Sequence, residues 1–388
     1  LMQIVNNHFY KTLLLLSFFS AGFSLYYVFI PLLMISLILS IIKNRTLYAG
    51  CTAASYNVLF IVLFVFSVFS IGSELLILES PVKYAMYMIF LIVCLPLLLI
   101  NNFEYAWYML FFFILGVFFR AESIVVYSFL DPSGVYGYGK LLDPFNHEEI
   151  NSPGISNSLA IVFLFFFVAY KNTLSLKCLL IFIYPLILLS SIFLGGRAFF
   201  IIVLVCITYK YSRNFKIKTL IGLTTLICLG CFFSLLVKEI PFFDKYFDLI
   251  FERFGSEGLK SARFELIQDG ITKFLIHPLG GFTPNASEYS GYWYHNIYLD
   301  SARVAGVISL IPFILSNLIV LISYLGYRNY RKRIKNPYFF ISLITLIIMC
   351  QDVVLEGNMM LLISYALFTT MAIQSRRYKK SETLLQSK

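Results

Sequence analysis

Charge is what this sequence has least of. Lysine, arginine, aspartate and glutamate make up 13% of its 388 residues, while 60% are hydrophobic and the mean hydropathy is +0.83. A soluble globular chain carries about 25% charged residues, so an ordinary water-facing surface is excluded. The apolar residues fall in long blocks separated by short charged stretches, as a hydrocarbon layer about 30 Å thick demands of helices of roughly 20 residues. The alternation expected of barrel strands is missing. Backbone groups inside a bilayer must be satisfied within the segment, so the blocks read as helices. The expected fold is an all-α polytopic integral membrane protein with about 12 transmembrane helices and two larger loops on the non-cytoplasmic side.

Metal-binding residues are also few. There are four histidines and seven cysteines, and nearly all the cysteines lie inside apolar blocks. Cys228 and Cys231 form a CxxC within ICLGCFF, with no second ligand pair to complete a zinc site. They read as buried thiols, and no metal is expected. The first apolar block has a thin basic flank and no small-residue cleavage site, so it reads as a span and not as a leader. The net charge of +10 would suggest a nucleic-acid partner in a soluble chain. Here the lysines and arginines read as topology signals, and no nucleic acid is expected.

Spans are predicted near 12–23, 25–42, 55–71, 84–100, 105–119, 155–170, 178–194, 198–209, 219–237, 304–324, 337–350 and 359–374. Residues 12–42 as one helix would run about 46 Å, too long for a single crossing, so a join near Ser24 is predicted. Gly195-Gly196-Arg197 reads as a hairpin between two helices. With both termini cytoplasmic, 19 of the 30 basic residues fall inside, with Glu104 and Glu382 as the only acidic ones there. The inner side then carries +17 and the outer side −7, as the positive-inside rule requires. The clusters RNYRKRIK and RRYKK read as cytoplasmic anchors.

Two outer segments are long enough to hold a site, 120–153 and 238–303. The second contains SARFELIQDGITKFLIH (261–277), in which Phe264, Ile267, Ile271, Phe274 and Leu275 recur at helical spacing. This predicts an amphipathic helix lying on the membrane surface. Tyr289, Tyr292, Trp293 and Tyr294 suit an interfacial aromatic belt or a platform on which sugars stack. The predicted spans are almost free of ionisable residues, which disfavours an ion-coupled transporter. The candidates gather at the outer mouth instead. His295, in WYHNIYLDSARVAGV, is a base candidate at neutral pH, with Asn296 or Asp300 to orient it. Arg197, in LGGRAFF, and Arg263, opening the amphipathic helix, offer planar forks suited to phosphate oxygens. His8, His147 and His277 read as ordinary loop histidines.

At these residues the chain resembles the O-antigen polymerase and O-antigen ligase superfamily, membrane glycosyltransferases of the Wzy/WaaL type. GGRAFF is similar to the family's arginine turn between two mid-chain helices. SARFELIQDGITKFLIHPLGG is similar to its periplasmic-loop helix and Pro-Leu-Gly turn, and YHNIYLDSARVAGVISL to its His-Asn box. The resemblance spans about residues 190–325. Gly196 stands where the family usually has Ser or Thr, and Ile297 where an acidic residue can follow His-Asn. The resemblance implies a GT-C-like fold in the bacterial inner membrane with an active site facing the periplasm. It implies transfer of an undecaprenyl-diphosphate-linked oligosaccharide to a sugar hydroxyl without metal, nucleotide or other cofactor. The catalytic residues would be His295, Arg197 and Arg263, and the substrate-binding residues Asn296, Asp300, Tyr294 and Arg120. Implied partners are the lipid bilayer, the lipid-linked glycan and a polysaccharide chain-length regulator. A polymerase is favoured over a ligase, and a lipid-linked oligosaccharide flippase is the reading from another class.

Overall fold

The computed structural model describes residues 7–44, 53–71, 76, 81–100, 103–131, 139–145, 147–169, 174–212, 263–284, 293–326 and 336–386. The helices among them are α1 (Asn7–Gly22), α2 (Tyr26–Asn44), α3 (Ala53–Ile71), α4 (Pro81–Ile100), α5 (Phe103–Phe129), α6 (Ser152–Ala169), α7 (Leu174–Leu194), α8 (Arg197–Ser212), α9 (Arg263–Ile276), α10 (Ile297–Leu325), α11 (Pro337–Met349) and α12 (Met359–Gln386). A short antiparallel ribbon pairs β1 (Lys140–Leu142) with β2 (Glu149–Asn151). The predicted span 219–237 with Cys228 and Cys231, the aromatics Tyr289 and Tyr292, and the cluster at 328–335 lie outside the described residues.

By length and composition, α3, α5, α6, α7 and α10 are apolar enough to cross a membrane, and six further apolar helices are shorter. The chain is an α-helical membrane protein, with the ribbon as its departure from an all-helical fold among the described residues. Sequence and structure differ at α5. The apolar block was expected to end at 119, with a loop following. The helix instead continues through Arg120 and Glu122 to Phe129, and both of these charged residues are buried. A helical backbone satisfies its own polar groups, so the chain stays helical where the side chains turn polar.

The chain divides into two compact units, Leu1–Arg120 with Ala262–Lys388, and Ala121–Ser261. In the first, α1 and α2 meet at Ser24, whose φ of 65° turns the chain, and α3 packs along α10. A polar ladder joins α3, α10 and α12. Ser316 Oγ donates to Asn57 Oδ1 at 2.7 Å, Asn57 Nδ2 to Thr369 Oγ1 at 3.3 Å, and Asn317 Nδ2 to the Tyr298 hydroxyl at 3.1 Å. The Tyr365 hydroxyl donates to Asn317 Oδ1. Such bonds act as glue where lipid tails supply no hydrophobic drive between helices. In the second unit α6 packs against α7 and α8 and is buried on nearly every side.

Helices α1 and α5 approach through small residues. A Cβ on Gly116 would lie 2.2 Å from the Phe19 carbonyl oxygen, and one on Gly22 would lie 2.0 Å from that of Phe113. Gly116→Val therefore forces the two backbones apart. Thermal unfolding in detergent should show a loss of about 1–3 kcal/mol, the usual cost of overpacking.

Candidate functional site

The sequence WYHNIYLDSARVAG builds the site at the start of α10. Asn296 caps the helix, its side-chain oxygen accepting from the Tyr298 amide at 3.0 Å and the Leu299 amide at 3.4 Å, as an N-cap asparagine does. Asp300 follows in the first turn and is 2% exposed. Its Oδ1 accepts from the Tyr294 amide at 2.8 Å and its Oδ2 from the Asn296 amide at 3.1 Å. One carboxylate thus grips the amides on both sides of His295. Between these two points His295 adopts a φ of 52°. This left-handed conformation is rare outside glycine and costs about 1–3 kcal/mol that the surroundings must offset. Asp300 or Asn296 was expected to orient the imidazole, and the Asp300 carboxylate reaches the backbone on both sides of it. It shapes the backbone that carries the imidazole.

A strap from α9 braces this turn. Leu266, Phe282, Tyr294 and Ala302 form a small apolar core, with Phe274, Leu299 and Leu310 packed against it. Gly270 lets α9 lie close, since a Cβ there would be 3.0 Å from both Leu299 Cδ1 and Tyr294 Cε1. The side of α9 turned to the protein therefore carries Leu266, Gly270 and Phe274. Phe264, Ile271 and Leu275, three of the predicted apolar stripe, are exposed, as is Leu279. The Tyr294 hydroxyl donates to Asp269 Oδ2 at 3.1 Å, and Lys273 pairs with the same oxygen at 3.3 Å while donating to the Thr283 carbonyl. Burial first, and then the Asp269 carboxylate, push the Tyr294 phenol above its ordinary range, so it remains a donor to Asp269.

Helix α10 breaks at Gly306 (φ 55°, ψ −140°), a backbone conformation that only glycine adopts freely. The strap fills the break. Val307 donates its amide to the Pro278 carbonyl at 2.9 Å, and Gly281 donates to the Arg303 carbonyl at 2.8 Å. A Cβ on Gly306 would lie 2.1 Å from the Pro278 oxygen. Ser309 Oγ closes the other side, donating to the Ser301 and Gly306 carbonyls.

One turn beyond Asp300, Arg303 is buried and pairs through Nη2 with Glu356 Oε1 at 2.8 Å, with side-chain exposures of 1% and 2%. Glu356 belongs to the segment between α11 and α12, where Asp352 accepts from the Val353 amide and from Asn358 Nδ2.

Tyr294, His295, Asn296 and Asp300 are thus brought together, with α9 and its first residue, Arg263, in the same unit. Arg197 opens α8 in the other unit, and the side chains of Arg197 and Arg263 lie outside the described part of the structure. Arg120 is buried, its guanidinium 5.8 Å from the centre of the Phe23 ring. Beside the Gly195–Gly196 turn, a Cβ on Gly196 would fall 1.8 Å from Ser156 Oγ. In that second unit Ser190 Oγ donates to Glu122 Oε2 at 2.6 Å, and Glu122 Oε1 is buried with no hydrogen-bond partner among the described residues.

Arg303, Glu356 and Asp269 were not anticipated in the surroundings of the histidine turn. Glu356 lies between two predicted spans, where an acid reads as ordinary loop charge, and its burial shows only in the structure. Arg303 read as the end of a loop. Removing one partner of the Arg303–Glu356 pair leaves an uncompensated buried charge, so Glu356→Ala should lower stability by about 3–5 kcal/mol. Arg303→Met with Glu356→Leu should recover most of that loss in thermal unfolding.

Among the described residues, no group of three or more histidine, cysteine, aspartate or glutamate side chains is placed to hold a metal ion. No protein-family model matches the chain, and no curated protein matches it.

Proposed function

We propose that this protein is a surface-polysaccharide (O-antigen) polymerase of the bacterial inner membrane, with about 12 crossings in a GT-C-like arrangement. It transfers an undecaprenyl-diphosphate-linked glycan to the non-reducing end of a lipid-linked repeat unit on the periplasmic side. The observation that carries this reading is His295, held at φ 52° by the grip of Asp300 on its two flanking amides. Strained backbone over-determined by its surroundings clusters at sites of chemistry, and this histidine lies in the segment that resembles the family's His-Asn box.

In this mechanism His295 removes the proton from the acceptor hydroxyl as that oxygen attacks the anomeric carbon of the donor. The bond from that carbon to the diphosphate oxygen breaks, and Arg263 holds the diphosphate as charge develops on it, a role that the family resemblance alone gives to Arg197 as well. Tyr294, Asn296 and Arg120 shape the substrate site. The polyprenyl diphosphate is itself the activated leaving group, so no nucleotide is consumed. The exposed Phe264, Ile271, Leu275 and Leu279 support placing α9 in the outer membrane interface. There Arg263 would meet the headgroup of a lipid-linked donor.

A ligase acting on lipid A–core shares this chemistry and differs in its acceptor. A gene deletion separates the two: loss of a polymerase leaves core bearing single repeats, and loss of a ligase leaves bare core. In membranes supplied with lipid-linked repeat units, His295→Ala should lower turnover by at least about 100-fold, the low end of what a general base contributes. Near wild-type turnover by that variant would remove the base assignment. Arg263→Lys keeps the charge and loses the bidentate fork, so it should raise KM for the donor.

A further inference from the structure

The Arg303–Glu356 pair has no part in the mechanism above, yet it lies at the crossing of three segments of the site. The Arg303 side chain pairs with Glu356 from the segment between α11 and α12. Its carbonyl accepts the amide of Gly281, and that of Phe282 at 3.4 Å, from the strap after α9. Its backbone belongs to the first, broken-off piece of α10, three residues from Asp300. Both charged groups of the pair are almost wholly buried. Burying an ion pair seldom adds stability over an apolar pair of similar volume, so stability alone gives a weak reason for charge here. Asp300 supplies a stronger one. A carboxylate grips two amides well only while it is ionised, and Asp300 must stay so although it is buried. A cation one helical turn away favours that state.

We propose that Arg303 and Glu356 are positioning residues for His295. The buried guanidinium, fixed in place by Glu356, keeps the Asp300 carboxylate charged and seated on the Tyr294 and Asn296 amides, and so holds His295 in its left-handed conformation. Lys273 and Asp269 hold Tyr294 from the α9 side, so the segment 294–296 is gripped from two directions, and only the Asp300 side depends on Arg303. This assignment rests on the transferase reading only where turnover is the readout.

The test labels histidine imidazole nitrogens in the full-length protein in nanodiscs. The chain has four histidines, so the His295 signals are assigned by their loss in His295→Gln. Arg303→Met with Glu356→Leu should unfold near the parent temperature, while its His295 signals split or broaden as Asp300→Asn makes them do. Turnover should then fall by about 100-fold, the scale of a misplaced catalytic group, with KM for the donor within about twofold of the parent because the misplacement removes transition-state interactions alone. A folded double variant with parental His295 signals overturns the proposal and leaves the pair a packing feature. If that variant does not fold, Arg303→Lys and Arg303→Gln decide. The lysine should keep the His295 signals and the glutamine should lose them, and equal spectra overturn the proposal. Absence of turnover in the parent protein sinks the transferase reading, retention of turnover in His295→Gln sinks the base assignment, and in either case the spectra still decide what Arg303 does.

Discussion

A single carboxylate organises the polar end of α10. Asp300 accepts the amides of Tyr294 and Asn296, and between them His295 stands at φ 52°. The rest of this region follows from that grip. Asn296, its own amide held by Asp300, caps the helix with its side chain. Tyr294, fixed by its amide, carries its ring into the core beside Leu266 and Phe282 and its hydroxyl to Asp269. The carboxylate is buried, so its charge needs company, and Arg303 with Glu356 is placed one turn further along. The backbone geometry is held by Asp300, and the imidazole rides on it.

The break at Gly306 is the second constraint. Freed backbone groups within an apolar environment must find partners, and the strap 277–282 supplies them through Pro278 and Gly281. The same contact docks α9 against α10, since α9 runs straight into the strap. Helix α9 and the histidine turn are therefore one assembly, joined for example by Tyr294 and Asp269 across 25 residues of sequence. A Cβ on Gly270 would press on the Leu299 and Tyr294 side chains, and one on Gly306 would strike the backbone of Pro278 and Gly280 in the strap.

Much of this was legible in the sequence. Long apolar blocks gave the helices, because a bilayer-length run of such residues has few other outcomes, and the join at Ser24 and the Gly195–Gly196 turn fell where helix length and glycine placed them. The amphipathic stretch 261–277 gave α9 to within two residues at either end. Its facing was legible in part: hydrophobic spacing marked Phe264, Ile271 and Leu275, which are exposed, while Phe274 of the same stripe packs inward with Leu266 on the side that Gly270 opens. The extension of α5 through Arg120 and Glu122 was hidden for a related reason. Hydropathy reports the solvent preference of side chains, and the helix persists where that preference changes. The role of Arg303 was hidden because its partner, Glu356, lies 53 residues away, and pairing across helices leaves no local pattern.

The central claim is chemical: a glycan leaves a polyprenyl diphosphate on the outer face and arrives on a sugar hydroxyl. It is tested most directly in proteoliposomes of the purified chain loaded with synthetic lipid-linked repeat units, by counting polyprenyl diphosphate released against glycosidic bonds formed. The account predicts one diphosphate released per new linkage, in step with a growing ladder of products. Movement of intact lipid-linked glycan across the bilayer, with no diphosphate released, would contradict it.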